Sequence, residues 1–239
     1  SNLPNLNILI TLDNISPIDS QVSLELPMGW VSETVENGLR ITAPSGVRPG
    51  LYHLPVMLDG APAQTVERIA FDHIDPTAVI RPASVQVRVV DVKVTQSKVG
   101  YIGGGNDRVA HWLAAIGVDV DVLGDAALGS KTELARYDTI VIGIFAFKHR
   151  LGLTDALPIL HDWARAGGHL VTLYHRPWDN WNPSETARAR LEIGQPSLRW
   201  RVTDETAAVT HLAPEHPLLT TPNVINDADW NGWHKERGL

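Results

Sequence analysis

Two rhythms of apolar and polar positions divide the chain. In residues 5 to about 95 the apolar positions recur every second residue. Leu6, Ile8, Ile10 and Leu12 alternate with polar residues, as do Val22, Leu24 and Leu26, then Leu39 and Ile41. That period predicts strands with one buried face. Pro27-Met-Gly-Trp30, the breaker-rich stretch Ala43-Pro-Ser-Gly-Val-Arg-Pro-Gly50 and Asp59-Gly60 punctuate them. Further strands are predicted at Tyr52–Leu58, at Val66–Phe71 and over Val85–Val94. Short strands separated by turns predict an immunoglobulin-like β-sandwich over residues 1–95.

From Lys98 the rhythm changes. Val99-Gly-Tyr-Ile102 reads as a short buried strand, and Val109, Trp112, Leu113 and Ile116 fall on one helical face that Gly117 ends. Val118, Val120 and Val122 begin the next strand. A short helix ends at Leu134, and Tyr137–Gly143 is a third strand. Leu157–Ala166 is a helix stopped by Gly167-Gly168, and His169–Tyr174 is a fourth strand. This alternation predicts a parallel sheet covered on both faces, a flavodoxin-like or amidotransferase-like α/β domain over residues 96–239. The last sixty residues are less regular. An edge strand is expected at Leu198–Val202, a proline-punctuated loop at Pro214–Pro222, and a short helix at Asp227–Trp233 capped by Asp227.

Composition narrows the function classes. The 239 residues carry a formal net charge of −7 with no Lys/Arg cluster, which argues against nucleic acid as a partner. No apolar run approaches the roughly 18 residues that a membrane span needs. Cysteine is absent, which excludes disulfides, thiolate metal sites and a cysteine nucleophile. Six of the eight tryptophans lie beyond residue 160. Tryptophan serves core packing and also sugar stacking.

Three places carry candidate chemistry. Gly103, Gly104, Gly105, Asn106 and Asp107 stand between strand and helix, where a dinucleotide fingerprint wants G-x-G-x-x-G. Gly103 and Gly105 fit, but Arg108 occupies the third glycine's position. The turn therefore reads as a structural corner with Asn106 or Asp107 capping the helix. The alternative is an anion site at the helix N-terminus. The second place is the end of the fourth strand, where related folds put a nucleophile on a sharp turn. Tyr174 and His175 stand there, followed by Arg176 and the aromatic, amide-rich loop Trp178-Asp-Asn-Trp181, read as mobile. Tyr174 could serve as acid or nucleophile and His175 as a base; His175 also reads as a hydrogen-bonding residue at a strand end. The loop suits a stacked carbohydrate or packing against a neighbouring domain. The third place is Glu215 with His216, and His211 nearby, an acid–base pair without a nucleophile beside it. No H-E-x-x-H or Asp-Asp-plus-His pattern occurs, so no metal site is expected.

Several of these segments carry a family resemblance. Lys98-Val-Gly-Tyr-Ile-Gly-Gly-Gly-Asn-Asp107, Tyr137-Asp-Thr-Ile-Val-Ile-Gly143, Arg201-Val-Thr-Asp-Glu205, His216-Pro-Leu-Leu219 and Trp230–Leu239 resemble the C-terminal region of large bacterial PIG-L (LmbE-type) deacetylases. Gly50-Leu-Tyr52 and Ala70–Ile74 extend the likeness over nearly the whole chain. In long members a zinc-dependent N-acetylglucosaminyl deacetylase domain precedes a β-sandwich and a class I glutamine-amidotransferase-like domain. The A-H-P-D-D metal motif of the deacetylase is absent, and the amidotransferase nucleophile is replaced at or next to Tyr174. The resemblance thus implies a non-catalytic accessory region of a deacetylase, itself a hydrolase. Zinc would belong only to the deacetylase domain, with that domain as partner, a carbohydrate as candidate ligand and an extracytoplasmic location. The alternatives are an altered, cysteine-free enzyme using Tyr174, His175, Glu215 and His216, and a protein-interaction scaffold.

Overall fold

The computed structural model describes residues 6–194 and 207–231. The strand expected at Leu198–Val202, the Arg201–Glu205 motif and the end of the chain beyond Asn231 lie outside the described residues. The fold is mixed α/β, with antiparallel sheets and one parallel sheet. The chain divides into two compact units, residues 1–91 and 92–239.

The first unit is built of β1 (Leu6–Thr11), β2 (Val22–Leu24), β3 (Val31–Val35), β4 (Gly38–Ala43), β5 (Gly50–Leu58), β6 (Ala61–Pro62), β7 (Gln64–Phe71), β8 (Ile74–Pro82) and β9 (Ser84–Val89). One antiparallel sheet has the order β1-β4-β3; in a second, β5 pairs with β2, β6 and β9. The period-two pattern aims Ile8, Ile10, Ile41 and Ala43 of the first sheet and Leu24, Leu54, Val87 and Val89 of the second into a shared core. Trp30 fills that core, its ring tilted 44° against Tyr52 at 5.1 Å.

The structure departs from the sequence expectation twice here. The segment after Phe71 is a second long strand, β8, and β7 and β8 form an antiparallel hairpin in register from Gln64↔Pro82 to Phe71↔Ile74. Its residues are almost all exposed, Val66 and Ile80 included. A strand that buries neither face shows no clean alternation, so the pattern did not announce it. The last strand ends at Val89 rather than Val94: from Val90 to Ser97 the backbone finds no ladder partner.

The second unit comprises β10 (Lys98–Ile102), α1 (Val109–Ala115), β11 (Asp119–Val122), α2 (Asp125–Leu128), α3 (Lys131–Leu134), β12 (Thr139–Ile142), α4 (Ala146–His149), α5 (Gly152–Arg165), β13 (His169–Thr172) and α6 (Pro217–Thr220), with a 3₁₀ turn at Asp227–Trp230. All the described strand pairings are parallel, in the order β11-β10-β12-β13. Alternate residues feed two layers. Ile102, Ile140 and Ile142 pack with Phe147, Leu153, Leu157 and Leu160. Val99, Tyr101 and Val141 pack with Val109, Ala110 and Leu113 of α1.

Several local expectations are corrected. Trp112 is 60% exposed and Ile116 40% exposed. The helix turns so that its buried arc centres near Leu113 and Ala110, and Trp112 lies about 100° away from Leu113. It rests against Arg108 instead, whose guanidinium lies 5.6 Å from the ring. Helix α5 starts at Gly152, a turn and a half before the expected Leu157, because Pro158 reads as a first-turn residue yet sits inside the helix. The expected Pro214–Pro222 loop contains the one-turn helix α6. The expected cap Asp227 is the first helical residue of the 3₁₀ turn. Asn226 caps it, accepting from the Ala228 N–H at 2.9 Å while Asp229 closes the capping box.

Candidate functional site

In an open parallel sheet ligands favour the carboxyl ends of the strands, at the crevice where strand order reverses. Here that crevice lies between β10 and β12, flanked by residues 103–108, 143–146 and 173–181.

Asp107 occupies it. One carboxylate oxygen, Oδ1, accepts from the Tyr101 hydroxyl and from the Val109 N–H at 3.0 Å; Oδ2 accepts from the Ile144 N–H at 2.9 Å. Burial pushes its pKa up, but these donors outweigh that and hold it below the usual carboxylate range. Burial and the adjacent Asp107 push the Tyr101 phenol well up. The two glycine segments meet at van der Waals limits. A Cβ on Gly104 would stand 2.8 Å from the Ile144 oxygen, and one on Gly143 would stand 2.3 Å from the Tyr101 hydroxyl. Asn106 is exposed and folds back, donating to the Gly104 carbonyl at 2.9 Å. The amides of Val109 and Ile144 are thus already bonded to a resident carboxylate. Asp107 supplies the start of α1, from one position before the N-cap Arg108, whose own side chain makes no cap bond.

The sharp strand-to-helix corner lies after β12, not at Tyr174. Phe145, N-cap of α4, adopts φ 57° and ψ 18°, a left-handed conformation rare for a bulky residue. Strand β13 is the outer strand of the described sheet and continues into an irregular loop. Tyr174 supports the corner: its carbonyl accepts from the Phe145 N–H at 3.2 Å, and the two rings meet edge to face at 5.6 Å. Its hydroxyl is buried with no hydrogen-bond partner among the described residues.

His175 is 3% exposed. Its Nδ1 pairs with the Leu173 carbonyl at 2.8 Å, and its Nε2 stands 3.3 Å from the Phe147 N–H as acceptor. Burial pushes its pKa down. A neutral imidazole with both nitrogens committed to backbone ties the end of β13 to α4.

Beyond it, Arg176 and Asp179 form a closed pair. Asp179 is fully buried and accepts from the Arg176 backbone N–H at 2.8 Å, from Nε at 2.9 Å and from Nη2 at 2.7 Å. Burial raises the Asp179 pKa, but the Arg176 bonds outweigh it and hold the carboxyl low. The guanidinium stacks 4.2 Å from the Phe145 ring centre and 5.4 Å from that of Trp178. Asn180 donates to the Phe147 carbonyl at 2.9 Å and the Trp181 indole to the Leu191 carbonyl at 2.9 Å. The loop read as mobile is closely tied, yet the Trp178 ring at its apex is 53% exposed.

Glu215 and His216 are both exposed. His216 Nδ1 caps α6, accepting from the Leu218 N–H at 3.2 Å, and His211 Nε2 accepts from the Trp230 indole at 2.9 Å. No hydrogen bond among the described residues joins Glu215 or His216 to Tyr174 or His175, and no three His, Asp or Glu side chains among them are grouped to hold a metal. No helix among them is long and apolar enough to cross a membrane. Phe145 and Asp179 are the residues that sequence reasoning missed. The spacing Arg176-x-x-Asp179 before an aromatic was the available signal for the second; nothing in the sequence marks the first.

No family model matches the chain, and neither a curated protein nor a solved structure is significantly similar to it.

Proposed function

We propose that this chain is a non-catalytic accessory region that presents a carbohydrate-binding surface beside a PIG-L-type deacetylase domain. One observation carries the reading. An exposed indole, Trp178, stands on a loop whose other members are locked by Arg176–Asp179, Asn180–Phe147 and Trp181–Leu191. A sugar's C–H face stacks on such a ring, and a surface ordered beforehand loses little entropy on binding. The bonding of His175 and Asp107 adds support, since His175 is committed to backbone partners and Asp107 to two backbone amides and the Tyr101 hydroxyl. The tie to the deacetylase family rests on the sequence motifs. The strand order β11-β10-β12-β13 is compatible with a flavodoxin-like or amidotransferase-like sheet, and the two antiparallel sheets over one core with an immunoglobulin-like sandwich. In this reading zinc belongs to the deacetylase domain, not to this chain.

The test is calorimetric titration with N-acetylated and de-N-acetylated oligosaccharides. Saturable binding that weakens at least about tenfold in Trp178→Ala supports the proposal. If no oligosaccharide binds, and fusing the chain to a PIG-L deacetylase domain leaves deacetylation unchanged, the proposal fails.

A further inference from the structure

A second concave site lies along helix α5, which packs on the parallel sheet. Helix α5 and residues 184–188 enclose a groove of about 440 Å³ whose wall includes His161, Asp162, Arg165, Ser184, Glu185 and Arg188. Charge is unevenly spent there. Asp162 is held by Arg165 Nη1 at 2.6 Å and by Lys131 Nζ at 3.4 Å, and Glu185 accepts from Asn182 Nδ2 at 2.7 Å. Arg188 has neither ion pair nor hydrogen bond among the described residues. The Ser184 hydroxyl accepts from Arg190 Nη1 at 3.2 Å, which leaves its own proton to donate. The His161 Nε2 is buried with no partner among the described residues, and such groups in folded proteins call for a ligand, ion or water.

An unpaired guanidinium and a free hydroxyl proton on one groove, with an unpartnered imidazole nitrogen enclosed in its wall residue His161, have a common chemistry. We propose that the groove binds a small oxyanion, a carboxylate or a phosphate. Arg188 supplies the planar donor fork that matches such groups, Ser184 a second donor, and His161 the ring that senses the bound charge. Of the two carboxylates of the wall, one is paired with two cations and the other accepts from Asn182, which leaves the Arg188 charge uncommitted.

The experiment is an NMR titration of the isotopically labelled chain with sodium phosphate and, separately, sodium acetate, at constant ionic strength. The His161 ring resonances are followed in the wild type, Arg188→Gln and Arg68→Gln. The proposal expects saturable shifts. It also expects at least about tenfold weaker binding in Arg188→Gln and less than about twofold change in Arg68→Gln, an exposed cation of the β7–β8 hairpin. Preference for phosphate identifies a phosphorylated ligand, and preference for acetate a carboxylated one. Shifts that do not saturate, or that are equal in the wild type and Arg188→Gln, mean an adventitious ion only and overturn it. Arg188 is exposed and unpaired, so its replacement does not endanger folding.

Discussion

Replacing Asp107 with alanine removes the acceptor that joins β10, α1 and the β12 corner. Three donors lose their partner: the Tyr101 hydroxyl, on a residue only 5% exposed, and the amides of Val109 and Ile144. A stranded buried hydroxyl costs about 1–3 kcal/mol, and each partly buried amide about 0.5–1.5 kcal/mol, since water can reach it. The expected loss is about 2–6 kcal/mol, a drop in Tm on the order of 10 °C for a unit of this size. The assay is urea unfolding near neutral pH, followed by tryptophan fluorescence. Of the eight tryptophans only Trp30 precedes residue 92, so the signal reports the second unit. Tyr101→Phe removes the donor that suffers most. The double variant is therefore expected to be less destabilised than the sum of the single variants by about 1–2 kcal/mol. A loss under about 0.5 kcal/mol in Asp107→Ala, or strict additivity with Tyr101→Phe, would refute the assignment of Asp107 as the resident acceptor of the crevice.

Acid should destabilise the second unit in two stages, because its buried or partly buried His175, Asp107 and Asp179 have folded pKa values below their unfolded ones. The contribution of His175 is present above its unfolded value of about 6.5 and fades as pH falls below it; those of Asp107 and Asp179 persist down to about 4 and are then lost. Urea midpoints measured across that range should lose the first stage in His175→Gln and part of the second in Asp107→Asn. An unchanged profile in either variant would contradict the corresponding assignment. Gly104→Ala should cost about 1–3 kcal/mol, because its Cβ meets the backbone of Ile144 and Ala146 at 2.8–3.0 Å, while Gly129→Ala, with open space and φ −85°, should be neutral or slightly stabilising. Thermal melts of the two variants give the comparison, and equal melting temperatures would show that the two loops are not in tight contact. Trp178→Ala should leave stability within about 0.5 kcal/mol of wild type, since the ring is largely exposed.

The parallel sheet was legible because its two central strands bury both faces and helices α1 and α5 run into glycines. Val99–Ile102 and Thr139–Ile142 read as unbroken apolar runs, and Gly117 closes α1 with φ 94° as the pattern implied. The signal failed where tertiary context overrode it. Pro158 concealed the first half of α5, and the β7–β8 hairpin buries neither face. Trp112 sits on the margin of a helix whose orientation is set by packing, not by periodicity. In the candidate site, the glycine corner and the aromatic loop were visible as residue types. What holds them was not. The left-handed Phe145 is a conformation no residue type at that position announces, and the Arg176–Asp179 pair becomes significant only once Asp179 is seen to be buried.

The most direct measurement on the carbohydrate-binding claim is the indole N–H resonance of Trp178 during titration of the labelled chain with oligosaccharides. The account predicts that it shifts in proportion to bound ligand, while that of Trp181, tied at 2.9 Å to the Leu191 carbonyl, stays in place. Binding that moves other residues and leaves Trp178 unshifted, or an absence of any shift across the oligosaccharides tried, would contradict it.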